Sequence, residues 1–342
     1  MKNFSQAVPL LSDLRRYDRQ TLRHDLMAGL TVAIMLIPQG MAYALLAGLP
    51  AIYGFYAAFI PLAIYPLFGS SRQLSVGPVA LVSIMVLTGI SEFAPPGSKE
   101  FIEYALLTAL IAGIIQLLLA VFRMGFLVNF LSEPVISGFT AAAALIISLS
   151  QLKYLLGIEM GRSATIIQLF DNLFAHINEV HGWSLLLGSL AIFFILFLKK
   201  VNRSLPGALL AIILTTAAVY VFRLDLQQID ILEEVPGGLP SFSTGFLTWE
   251  RIPEVLPLAL AICLVSFIES LAIAKTISAK HGNYPIDANK ELLGLGLAKI
   301  LGSFFLAFPN TGSFTRSAIN DEAGARSGMA SIYASVLIGL TL

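Results

Sequence analysis

Apolar runs follow one another down this chain, several approaching the ~20 residues that a helix needs to cross ~30 Å of hydrocarbon. Hydrophobic residues make up 57% of the chain and charged residues 12%, against about 25% charged in soluble domains. A soluble core could not hide so many long runs, so the expected class is an all-α polytopic membrane protein. The formal net charge is zero, which leaves no global attraction for nucleic acid. Cys263 is the only cysteine and lies in an apolar run, which excludes an internal disulfide and a cysteine metal site.

Charge, proline and glycine divide the chain into spans at about 27–47, 51–69, 78–92, 101–122, 134–156, 183–198, 205–222, 255–275 and 291–307. A short tenth segment follows Gly312, and an eleventh begins near Met329 and is still apolar at Leu342. Residues 1–26 mix Lys2, Arg15, Arg16, Arg19 and Arg23 with Asp13, Asp18 and Asp25. They read as an amphipathic cytoplasmic lead-in rather than a cleaved signal. With the N-terminus inside, inner segments hold 14 Lys and Arg and outer loops hold 5. That asymmetry favours a cytoplasmic N-terminus in the plasma membrane, and it requires the two short segments to count as spans.

The third and tenth segments are short, entered through Ser/Gly/Pro stretches, and seven segments apart. An odd offset inverts one half relative to the other, and paired interrupted spans point to a transporter's binding site. The expected organisation is 27–222 as a first inverted repeat of seven spans, 223–254 as an extracytoplasmic loop, and 255–342 as a partial second repeat of about four spans. Seven plus seven requires fourteen spans, so the expectation is that the native chain continues.

A helix starting at Gly312-Ser313-Phe314-Thr315-Arg316 would aim free amides and its positive dipole end into the protein. Ser313 and Thr315 could add hydroxyl donors, and the amides from Ser313 to Arg316 are candidate unpaired donors. Arg316 either snorkels to the boundary marked by Asn320, Asp321 and Glu322, or supplies a positive field behind an anion rather than a direct contact. Gly77 and Pro78 are either an ordinary turn or the start of an opposed half-helix, with Val79 and Ala80 then beside the substrate. Glu269 is the only carboxylate well inside an expected span. It must be paired or neutralised, either as a proton carrier or as a fixed partner of Arg316 or Lys299. Gln39 and Tyr43 share a helix face after Pro38, either as site residues or as packing. Asn129, Glu133 and Pro134 read as structural. The four histidines lack metal-ligand spacing. There is no P-loop and no Ser-His-Asp set, so neither an enzyme nor a primary pump has support, and no cofactor or metal is expected.

These stretches resemble the SulP family of anion transporters. The resemblance rests on Asp25 to Pro50, Tyr53 to Pro61, Gly69 to Pro78, Glu269 to Lys275, and Asn289 to Ser317, and it extends over essentially the whole chain. It implies a seven-plus-seven inverted-repeat fold with half-helices at the third and tenth positions and a core that moves against a gate like an elevator. It also implies an anion site at Gln39, Tyr43, Val79, Ala80, Glu269, Ser313, Phe314, Thr315 and Arg316. The chain ends in the eleventh helix, before the rest of the gate and the cytoplasmic STAS domain of the family. Ile273 stands where sodium-coupled bicarbonate relatives look to carry threonine, which favours protons over sodium. The expected function is secondary active uptake of sulfate or a similar small oxyanion with protons. Bicarbonate or dicarboxylate transport, an anion channel or exchanger, and a scaffold or motor remain as rivals. The partners implied are a small inorganic or organic anion, protons, the lipid bilayer and, from the resemblance, a second copy in a homodimer.

Overall fold

The computed structural model describes residues 17–126, 152–158, 166–201, 207–224, 237–282 and 284–342, with a few isolated positions besides. In chain order the elements are α1 (Arg19–Leu46), α2 (Ile52–Phe68), β1 (Val76–Gly77), α3 (Ala80–Ile90), α4 (Lys99–Val121), α5 (Ile166–Ala175), α6 (Gly182–Val201) and α7 (Gly207–Val221). They continue with α8 (Ile252–Lys280), α9 (Ala288–Phe304), β2 (Thr311–Gly312), α10 (Phe314–Glu322) and α11 (Met329–Thr341). The chain divides into two compact units, one formed by residues 1–132 and 236–342 and the other by 133–235. In the second, α6 and α7 present large apolar side chains outward, including Leu190, Phe193, Leu196 and Ile213, as lipid-facing helices do.

Most elements fall where the apolar runs place them, and the differences have local causes. Helix α1 begins at Arg19 rather than near 27 because Asp18 caps it, accepting the Thr21 amide at 2.8 Å. That hydrogen bond also holds the Asp18 carboxyl below its ordinary pKa. Helix α8 is longer than its apolar run, starting at Ile252 with Pro253 in its first turn and running on through Lys275 to Lys280. The fifth expected span lies mostly outside the described residues, as do Asn129, Glu133 and Pro134.

The first unit packs helix backbones against each other through glycine. A Cβ on Gly54 of α2 would lie 2.1 Å from the Gly40 carbonyl oxygen of α1, and one on Gly296 of α9 would lie 3.0 Å from the Gly113 carbonyl of α4. Small residues at such crossings are how helices associate in lipid, where burial of apolar surface gives no net drive. Helix ends in this unit sort into two groups. At one end, Gly125 after α4 donates to Asn289 at 2.8 Å, and His281 and Lys280 meet Asp321. At the other, Gly97 donates to the Gly48 carbonyl at 2.8 Å and Arg251 pairs with Glu100 and Glu103. β1 and β2 lie between them, antiparallel, with Val76 opposite Gly312 and Gly77 opposite Thr311. Each strand leads directly into a short helix, β1 into α3 and β2 into α10.

Gly54→Ala is expected to lower stability by about 1–3 kcal/mol through forced separation of α1 and α2, whereas Gly182→Ala, with no atom within 4 Å of the added Cβ, should be tolerated. Melting temperatures in detergent check this, and equal values for the two variants would contradict it.

Candidate functional site

The two strands bring the starts of α3 and α10 together. Val79, the residue before α3, has extended backbone and no side-chain oxygen, and Pro78 before it has no N–H. The first-turn amides of Ala80, Leu81 and Val82 therefore carry no hydrogen bond among the described residues. Ser313 caps α10, its hydroxyl accepting the Arg316 amide at 3.4 Å, while its own N–H donates to the Ser75 carbonyl at 3.1 Å. Of the four amides expected to be free from Ser313 to Arg316, only those of Phe314 and Thr315 remain so, because the cap and the crossing segment occupy the other two. The Phe314 and Thr315 side chains are exposed, and Val79 is buried with Ala80 partly so.

Arg316 is fully buried and does not snorkel. Side chains in a helix lean toward its N-terminus, so a residue in the first turn points back to the helix start rather than outward. Its Nη1 donates to the Pro78 carbonyl at 2.8 Å and to Gln39 Oε1 at 3.3 Å. Its Nε and Nη2 have no hydrogen-bond partner among the described residues. Gly77 makes room for it, since a Cβ there would come within 3.2 Å of Nη2. Gln39 in turn donates to the Tyr43 hydroxyl at 3.1 Å, so the pair read as sharing a face also touches.

Glu269 on α8 is partly buried, and its Oε2 is buried with no hydrogen-bond partner among the described residues. No ion pair joins it to a cation among the described residues, although Arg316 is near enough for their charges to interact. Lys299 is not its partner. It is buried on α9 and donates to Gln116 Oε1 at 3.0 Å, and Gln116 donates to Ser266 Oγ at 2.8 Å and to the Cys263 carbonyl at 3.0 Å. Ile273 packs among apolar residues with Leu74 and Val76 and presents no oxygen.

Several supporting residues were not legible as such. Ser270 Oγ accepts the Gly312 amide at 2.9 Å and lies 2.9 Å from Thr311 Oγ1, which donates to the Ser266 carbonyl at 2.9 Å. These hydroxyls moor β2 to α8, and serine or threonine in an apolar helix was their only sequence signal. The assembled seat has two helix starts with free amides, a buried guanidinium with two unused nitrogens, and a carboxylate on the third wall. Backbone amides at helix starts and a guanidinium are groups that can bind an anion.

Residues 22–342 match the family model described as Sulfate permease family. The chain is 42% identical over 93% of its length to sulfate transporter 4.1, chloroplastic, of Arabidopsis thaliana, covering 47% of that protein. It is 35% identical over 98% of its length to high affinity sulfate transporter 1 of Stylosanthes hamata, covering 52% of it. The chain thus spans about half the length of these relatives. Among solved structures, that of SLC26A9 superposes with a TM-score of 0.90 at 28% identity, over 98% of this chain and 56% of the other. The transmembrane domain of the cyanobacterial bicarbonate transporter BicA shares the fold at a TM-score of 0.83 and 21% identity, over 95% of this chain and 83% of the other.

Arg316→Gln removes the fork while keeping a polar side chain. Thermal stabilisation of the purified protein by added inorganic oxyanions should then require at least about tenfold more anion; an unchanged concentration dependence would show that the guanidinium does not face the ligand.

Proposed function

The chain belongs to the sulfate permease family, and from that premise we propose that it carries sulfate or a similar small oxyanion across the membrane together with a proton. The observation that carries this reading is the buried Arg316 guanidinium, whose Nε and Nη2 lack partners between two helix starts. Sulfate would take the amides at the starts of α3 and α10 and the free nitrogens of Arg316. Gln39 and Tyr43 would close the seat on the α1 side, with Val79, Ala80 and the Ser313–Thr315 turn bounding it. Pro78 and Gln39 hold the guanidinium in place before the anion arrives, which reduces the ordering cost of binding.

Glu269 would be the coupling group. An ionised carboxylate facing the seat repels an incoming anion, whereas a protonated one does not, so anion and proton would load together. Ile273 offers no oxygen beside it, which supports protons rather than sodium as the coupled ion. The unit holding the seat would be the moving body of an elevator cycle, in a seven-plus-seven inverted repeat, with the protein working as a homodimer. Arg19, Arg23, Arg72, Lys280, Lys290 and Arg326 lie at the end where α1 begins, and Lys99 and Arg251 at the other. That distribution supports a cytoplasmic N-terminus, and we place the protein in the plasma membrane.

Competition of labelled sulfate uptake by bicarbonate, oxalate, fumarate and chloride, with and without a pH gradient, tests the reading in liposomes holding the full-length protein. Sulfate uptake that saturates, shows counterflow and rises with an inward proton gradient is expected. Preference for bicarbonate or a dicarboxylate would reassign the substrate, voltage-scaled single-channel currents would indicate a channel, and absence of flux would indicate a scaffold or motor. Glu269→Gln should abolish the dependence on the proton gradient while the protein still folds. Uptake that stays proton-dependent in that variant removes Glu269 from the coupling role.

A further inference from the structure

Two carboxylates outside the seat, Asp25 on α1 and Glu291 on α9, are fully buried, and neither forms an ion pair among the described residues. Both accept the same set of donors. Asp25 takes the N–H groups of Arg326 at 2.7 Å and Ser327 at 3.2 Å, the Ser327 hydroxyl, and the Tyr17 hydroxyl at 3.1 Å. Glu291 takes the N–H groups of Ser70 at 2.8 Å and Ser71 at 3.1 Å, the Ser70 hydroxyl at 2.7 Å, and the Tyr65 hydroxyl at 2.6 Å. Each carboxylate is thus filled by two consecutive backbone amides, a serine hydroxyl from one of those residues, and a tyrosine. Burial pushes the Tyr17 hydroxyl's pKa upward, with help from Tyr333 and Asp25, so it remains a donor.

What the two carboxylates hold is equally matched. Glu291 grips residues 69–75, the irregular segment that leads into β1 and α3. Asp25 grips residues 323–328, the irregular segment that leads out of α10. The two segments are laced to each other and to α10. Asn320 donates to the Gln73 carbonyl at 2.9 Å, Gln73 Nε2 to the Ala325 carbonyl at 3.0 Å, and the Ser75 amide to Ser317 Oγ at 2.9 Å. Gly294 allows the grip on α9, because a Cβ there would lie 2.9 Å from the Gly69 nitrogen.

We propose that Asp25 and Glu291 are paired positioning residues for the anion seat. By tying down the irregular segment next to each half-helix, they set the spacing between the starts of α3 and α10, and anion affinity depends on them although neither touches the anion. This rests on the seat described under the proposed function.

The test uses the full-length protein in proteoliposomes, with four variants: Glu291→Gln, Asp25→Asn, Tyr65→Phe and Tyr17→Phe. Two readouts are taken, KM against kcat for labelled sulfate and hydrogen–deuterium exchange of peptides covering 69–75 and 323–328. Each variant should raise KM by about three- to tenfold with kcat largely kept, because one buried charge-assisted hydrogen bond is weakened or lost. Exchange should quicken in 69–75 for the Glu291 and Tyr65 variants and in 323–328 for the Asp25 and Tyr17 variants. The double variant Tyr17→Phe/Tyr65→Phe should deviate from the product of the single effects, since the segments are laced. Faster exchange or a lower melting temperature with KM unchanged would reduce the pair to structural groups, and unchanged exchange would show that they do not hold the segments. If the carboxamide variants do not fold, the tyrosine variants decide. If the parent protein moves no sulfate, the functional reading fails, and exchange still decides whether the carboxylates hold the segments.

Discussion

The arrangement of the larger unit depends on one buried charge. Arg316 lies out of water among apolar helices, where an unpaired guanidinium is costly. Two of its obligations are met by the Pro78 carbonyl and the Gln39 side chain, and both partners lie next to a proline-marked irregularity. Pro78 offers a free carbonyl where β1 gives way to α3, and Gln39 follows Pro38 inside α1. The break in one half-helix therefore neutralises part of the cost of the charge on the other.

The same break creates a backbone problem that the surrounding residues answer. Irregular chain within a membrane protein is tolerated only where its polar groups find partners or line a cavity. The strands pair Val76 with Gly312 and Gly77 with Thr311, and on α8 the Ser270 hydroxyl accepts the Gly312 amide while the Ser266 carbonyl accepts the Thr311 hydroxyl. On the side where α1 begins, Asp25 and Glu291 take up the amides of the connecting segments. Among the described residues the amides of Ala80, Leu81, Val82, Phe314 and Thr315 and two nitrogens of Arg316 carry no hydrogen bond, and these are the groups proposed for the anion.

Much of this was legible in residue order. Run lengths located the helices, and the Ser/Gly/Pro stretches before the third and tenth segments marked them as half-helices. Glu269 stood out because a carboxylate in an apolar run is conspicuous. Asp25 and Glu291 did not, because each lies near a run's charged edge, where an acidic side chain looks solvated. Lys299 was visible but was matched to the wrong partner. It faces Gln116, a residue that becomes apparent only when glycines at 113 and 296 bring α4 against α9.

By itself the sequence determined the membrane class, the place and order of most of the helices described, though not α5, and the two Ser/Gly/Pro stretches behind which short helices start. Those follow from local rules, since length, hydropathy and proline or glycine act within a few residues. Only the tertiary structure decided where Arg316 points, which first-turn amides are already used, and that two carboxylates at the helix ends face inward. These outcomes depend on which backbone approaches which, and an approach such as Gly54 on Gly40 or Gly294 on Gly69 joins residues whose separation along the chain carries no periodic signal.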